Sequence, residues 1–75
     1  MAIEEKFKAT PWNKKIIILR TIMNLTQVEL ADKIGTTRKN IWLWEAGKTD
    51  PRKISKRAIC RALDSTEEEI FGKAM

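Results

Sequence analysis

The chain has 75 residues, 43% of them apolar and 33% charged, which suits one small folded domain with a heavily charged surface rather than a disordered tail. It contains no histidine and one cysteine, Cys60. An internal disulfide and a zinc site of the usual ligand set are therefore excluded, and a reducing, cytoplasmic setting is expected. No apolar run exceeds four residues, as at 16–19; about 20 are needed to cross a bilayer, and no signal-peptide pattern is visible, so a soluble protein is expected.

The net charge of +5 is unevenly spread. Residues 1–12 are neutral overall. Residues 13–63 hold twelve Lys and Arg against four acids, and residues 64–75 hold four acids against Lys73. A basic middle is the electrostatic footprint of a polyanion binder.

Residues 1–12 read as a leader in which Ile3 and Phe7, four apart, permit a weak amphipathic turn. Residues 13–75 read as the domain. Thr10-Pro11 fits a helix cap followed by proline in the first helical position, and the helix runs to about Met23, where Asn24 can take a left-handed closing conformation. Besides Ile16 and Leu19, this helix carries Ile17, Ile18, Ile22 and Met23. Two apolar faces on one helix require two surfaces to pack against. Thr26 opens the next helix with Glu29 three residues on, a capping box. Leu30, Ala31 and Ile34 form its inner face, and Gly35 ends it. Thr36-Thr37 starts a third helix whose inner face is Ile41 and Trp44. Ala46-Gly47 closes it, and Lys48-Thr49-Asp50-Pro51 forms a turn. A further helix covers about 53–63 with Ile59, Ala62 and Leu63 inward. Asp64-Ser65 breaks it, and Thr66 with Glu69 caps a last short helix near Phe71. No segment alternates with period two, so an all-α protein is expected.

Residues 27–45 thus hold two helices of about eight residues joined by a tight glycine turn, the arrangement of a helix-turn-helix. The motif reads Leu25-Thr26-Gln27, Glu29-Leu30-Ala31, Lys33-Ile34-Gly35-Thr36-Thr37, Ile41 and Glu45-Ala46-Gly47-Lys48, followed by Pro51 and Ala62-Leu63. Over residues 16–71 this resembles the lambda-repressor-like (Cro/repressor) family of helix-turn-helix proteins. The resemblance implies a compact five-helix domain that binds double-stranded DNA through a major-groove recognition helix, about residues 37–45, and acts as a transcriptional regulator, in the first instance a repressor.

Carried over by position, the resemblance implies that Gln27 and Lys48 hold phosphates, while Thr37, Arg38, Lys39 and Asn40 meet the groove from the start of the recognition helix. Trp42 and Leu43 take further groove-facing positions, although both are apolar where relatives often carry polar readers. They would contact thymine methyls or the sugar-phosphate wall, or else form a patch for a protein partner. Arg and Lys suit guanine, whereas Asn and Gln suit adenine. Arg20 and Glu45 match a buried ion pair of the family, and Asp64 stands where a glycine is common. Cys60 reads as a packed core thiol.

No histidine, glycine-rich phosphate loop or nucleophile with a base is present, so neither catalysis nor a cofactor is expected. The competing reading is a protein-interaction module of the same fold, antitoxin-like or a co-regulator. Because one short helix spans few base pairs, a weak homodimer on a palindromic operator is expected. Two surfaces are candidates for the interface, the surplus apolar face of the helix at 11–23 with the leader and the segment with Ile70, Phe71 and Met75. The second is favoured, with Phe7 and Trp12 then covering the surplus face.

Overall fold

The computed structural model describes residues 3–72. Among them the chain forms six helices and no strand: α1 (Ile3–Ala9), α2 (Trp12–Ile22), α3 (Gln27–Ile34), α4 (Arg38–Glu45), α5 (Lys53–Ala62) and α6 (Glu67–Phe71). The five helices from Trp12 onward reproduce the all-helical order read from the sequence. The leader is not merely a turn but a seven-residue helix. Its junction with α2 also differs by one position. Pro11 itself holds the cap, accepting from Lys15 N at 3.0 Å. Thr10 Oγ1 donates backward to Lys6 O at 2.7 Å, using a carbonyl that the end of α1 would otherwise leave free.

Side chains cap three starts. Thr26 Oγ1 accepts from Glu29 N at 3.0 Å while Glu29 Oε1 accepts from Thr26 N at 2.8 Å. Thr66 and Glu69 repeat this reciprocal pair, and Thr37 Oγ1 accepts from Asn40 N at 3.2 Å. Such caps are each worth about 1 kcal/mol.

Four helix ends share one closure. After α2, α3, α4 and α5 comes a residue of positive φ: Asn24 (58°), Gly35 (86°), Gly47 (71°) and Asp64 (53°). Each lets the following N–H reach back five residues, as Thr36 N does to Ala31 O at 2.9 Å and Ser65 N to Cys60 O at 2.9 Å. Gly47 has a second reason to lack a side chain, since a Cβ there would meet Asn13 Nδ2 at 3.2 Å.

The core gathers one apolar stripe from each helix after the leader. Ile16, Leu30, Ala31, Ile41, Trp44, Ile59, Cys60, Leu63 and Ile70 are all buried. Burial, reinforced by Glu67 and Glu69, pushes the Cys60 thiol up to about 11. It stays protonated at neutral pH, a packed thiol rather than a nucleophile.

Two charged side chains are buried with this core, Lys15 and Glu45. Glu45, at the last turn of α4, accepts from Arg20 Nε at 2.6 Å, Arg20 Nη2 at 3.1 Å and Gln27 Nε2 at 2.9 Å. Arg20 Nη1 also donates to Leu25 O at 2.8 Å, and Asn13 Nδ2 donates to Glu45 O at 3.1 Å. The Arg20 and Glu45 side chains are only 16% and 5% exposed, so this is the buried pair implied by the resemblance. It ties α4 to α2 and to the start of α3.

Lys15 does a similar job at the other end. Its Nζ donates to Glu69 O at 3.0 Å and lies 5.1 Å from the centre of the Phe7 ring. The Trp12 and Phe71 rings pack at 5.8 Å. Of the expected dimer segment, Ile70 is a core residue at 1% exposed and Phe71 is half-buried, keeping part of its surface; Met75 lies outside the described residues. Nor does Trp12 cover the second face of α2. Ile22 remains 71% exposed, with Ile18 and Met23 also at the surface. Phe7, Ile18, Leu19 and Ile22 line an open groove of about 890 Å³ between α1, α2 and the end of α6.

These contacts generate two expectations. Arg20→Met strands the Glu45 carboxylate with one neutral donor. Thermal and denaturant unfolding should register a loss of about 3–5 kcal/mol, and an unchanged midpoint would mean that the pair is not what holds α4. Asp64→Gly removes a side chain from a left-handed position and an acid from a helix C-terminus. It should gain about 0.5–1 kcal/mol, a rise of about 2–8 °C in Tm on the same measurement.

Candidate nucleic-acid interface

With α4 anchored by Ile41, Trp44 and Glu45, the rest of the helix is turned away from the core. At about 100° per residue, Arg38, Lys39, Trp42 and Leu43 fall within an arc of about 140°, opposite Ile41 and Trp44. Arg38, Lys39 and Trp42 are exposed and Leu43 is half-buried. The structure therefore brings four of the residues singled out in the sequence onto one face. Neither cation of this arc enters a salt bridge among the described residues.

The other four occupy different places. Thr37 is the N-cap, its hydroxyl already accepting from Asn40 N. The Asn40 side chain points back along the turn, with Nδ2 donating to Thr36 Oγ1 at 2.8 Å. Gln27 begins α3, but its amide is held by Glu45 as part of the buried network. Lys48 is exposed immediately after the Gly47 closure of α4, at the edge of the same region.

As in α2 and α5, no acid lies in the first turn of α4, where Arg38 and Lys39 stand instead. The first turns of α3 and α6 hold Glu29 and Glu67, Glu68 and Glu69, respectively. Arg52, Lys53, Arg57 and Arg61 are exposed further along the chain. Of these, Arg57 approaches Glu67 at 3.8 Å, an exposed pair of small worth. The site offers backbone donors at a helix N-terminus, two exposed cations and two apolar side chains, a set suited to a surface bearing phosphates and base edges. No helix among the described residues is long and apolar enough to cross a membrane, and no group of His, Cys, Asp and Glu among them could hold a metal ion.

Sequence reasoning missed Asn13, which holds the end of α4 without facing the site, and Lys15, which ties α2 to α1 and α6. The signal for Asn13 was present in the helical spacing, since it lies seven residues before Arg20 on the same flank of α2; Lys15 meets a backbone carbonyl, for which spacing gives no signal.

A family model described as a helix-turn-helix matches residues 16–70. The chain is 37% identical over 60 residues to the HTH-type transcriptional activator BcrR of Enterococcus faecalis, an alignment covering 80% of this chain and 29% of BcrR. It is 42% identical over 53 residues to an uncharacterized HTH-type transcriptional regulator of Methanothermobacter thermautotrophicus, covering 69% of this chain and 77% of that protein. The chain thus spans under a third of the length of BcrR and most of the archaeal regulator. The motif, the two-helix geometry and these matches agree: the chain belongs to the Cro/repressor-type helix-turn-helix family of DNA-binding transcription regulators.

Proposed function

We propose that the protein binds double-stranded DNA sequence-specifically, seats α4 in the major groove and regulates transcription from the site it occupies. The observation that carries this reading is the outward arc of Arg38, Lys39, Trp42 and Leu43 on a helix whose inner side is locked into the fold. Arg38 and Lys39 read base edges, while Lys48 and the N-terminus of α3 at Gln27 hold backbone phosphates. Both relatives are named as transcription regulators, which supports a regulatory role, and one of them is an activator. Repression is the simpler direction for this chain, because it requires only occupancy of the site. Activation requires an added contact to the transcription machinery. The function is binding rather than catalysis, and its setting is the cytoplasm.

A recognition helix of eight residues spans too few base pairs for useful genomic specificity, which favours two copies on a palindrome with half-sites about 34–36 Å apart. The groove beside Ile18 and Ile22 is the surface for the second copy. One rim carries Lys8 on α1 and the other Glu68 on α6. A two-fold copy whose α6 faces this α1 pairs these charges in both directions while covering the exposed isoleucines.

Selection from a random duplex pool followed by titration tests the base-reading roles. Arg38→Ala is expected to lose about 1–3 kcal/mol of discrimination at one position. Lys48→Ala should weaken all sequences alike and lower the salt slope by about one. Equal loss on cognate and random DNA for Arg38→Ala would overturn its role. A protein-interaction module would show no salt-dependent DNA binding at all. For the dimer, footprinting of the wild type should protect both half-sites cooperatively. Ile22→Asp should protect the two half-sites independently and sediment as a monomer. Undiminished cooperativity in that variant would remove the groove as the interface.

A further inference from the structure

We propose that Trp42 and Leu43 make this interface a reader of pyrimidine C5-methyl groups, so that thymines in its site are selected by their methyl rather than by hydrogen bonds. The inference rests on the major-groove reading above and specifies what that face recognises.

Trp42 is 46% exposed, and Leu43 is half-buried on the same arc as the two cations. Nothing in the chain's own core requires an apolar residue at either place, because Ile41 and Trp44 already fill the inner face. Both keep apolar surface free for whatever the arc is pressed against. In the major groove nearly every base edge presents a hydrogen-bond donor or acceptor, and the C5-methyl of thymine is the exception. An apolar side chain seated on a donor or acceptor strips its water and returns no hydrogen bond, which opposes binding. Seated on a methyl, it removes apolar surface from water on both sides. The same two residues therefore favour a methylated pyrimidine and penalise the alternatives. 5-Methylcytosine carries the same methyl at the same carbon and belongs to the same class of ligand.

The spacing on α4 adds a positional requirement. Trp42 stands one turn beyond Arg38, and Leu43 one turn beyond Lys39. A helical turn rises about 5.4 Å and a base pair about 3.4 Å. The methyl position accordingly lies one or two base pairs from the guanine contacted by the cation.

The test uses the whole wild-type chain and a duplex selected from a random pool, with each thymine replaced in turn by deoxyuridine. This exchange removes one methyl and leaves pairing and every groove donor and acceptor in place. At one or two thymines, positioned as above, binding should weaken about fourfold per methyl. Trp42→Ala or Leu43→Ala should be indifferent to the exchange there while keeping the guanine preference. With a C·G pair at that position, methylating the cytosine should recover about fourfold. If every deoxyuridine duplex binds as tightly as its parent while the guanine preference holds, methyl reading is overturned and the groove reading stands. If both variants keep the full penalty, Trp42 and Leu43 are not the readers, and the proposal is equally overturned. If the pool yields no preferred sequence, the groove reading itself fails, and the methyl reading fails with it.

Discussion

The carboxylate of Glu45 is the constraint on which the placement of α4 depends. An isolated helix of eight residues is not stable in water, so α4 exists only because the rest of the protein holds it. Apolar contacts through Ile41 and Trp44 hold it against the core, but they are non-directional and leave its rotation loosely fixed. Hydrogen bonds supply the direction. Arg20 grips both oxygens of Glu45, Gln27 adds a third donor, and Asn13 holds the backbone carbonyl of the same residue. Two helices, α2 and α3, thereby agree on one angular setting for α4, and with it on which four residues face outward.

α2 serves two surfaces at once, and its periodicity explains how. At about 100° per residue, Asn13, Ile16 and Arg20 share one flank, while Lys15, Ile18 and Ile22 share the opposite one. The first flank builds the core and the Glu45 network. The second meets α1 and α6 through Lys15, which joins an aromatic ring of the leader to a carbonyl of the last helix. A lysine buried this way is tolerable because its stem packs while its ammonium finds a carbonyl and a π-face. The surplus isoleucines of this helix are therefore not a packing error in the sequence. They are the floor of a groove that the chain itself leaves open.

Much of the fold was legible because its punctuation is local. Thr26, Thr37 and Thr66 announce their helices by their own side chains, and Asn24, Gly35, Gly47 and Asp64 end theirs by tolerating positive φ. The inner faces followed from spacing, and the groove-facing positions of α4 from the family resemblance. What escaped was decided by long-range partners. Gln27 reads equally well as a free helix-start side chain until Glu45, eighteen residues away in sequence, is seen to hold its amide. Ile70 and Phe71 read as open apolar residues until Trp12 is found against Phe71. Lys15 looks like one more solvated cation until its partner proves to be a backbone carbonyl, which carries no signature in a sequence. The leader was hardest, because the contact described for its helix is one ring against the ammonium of Lys15, eight residues on.

The cations that open α4 have a consequence for how this protein can evolve. Arg38 and Lys39 oppose the helix dipole where an acid would complement it, a handicap of about 0.3–1 kcal/mol for each in the free molecule. Selection for robustness alone would replace them with Asp or Glu, and such changes would be neutral to every packing contact in the core. Under the proposed function they persist because bound phosphates reverse the sign of the interaction. The docked protein then gains the relief of a strain that it carries alone. Exchanging the two cations for acids would therefore raise the stability of the free molecule and lower its attraction for phosphate in one step.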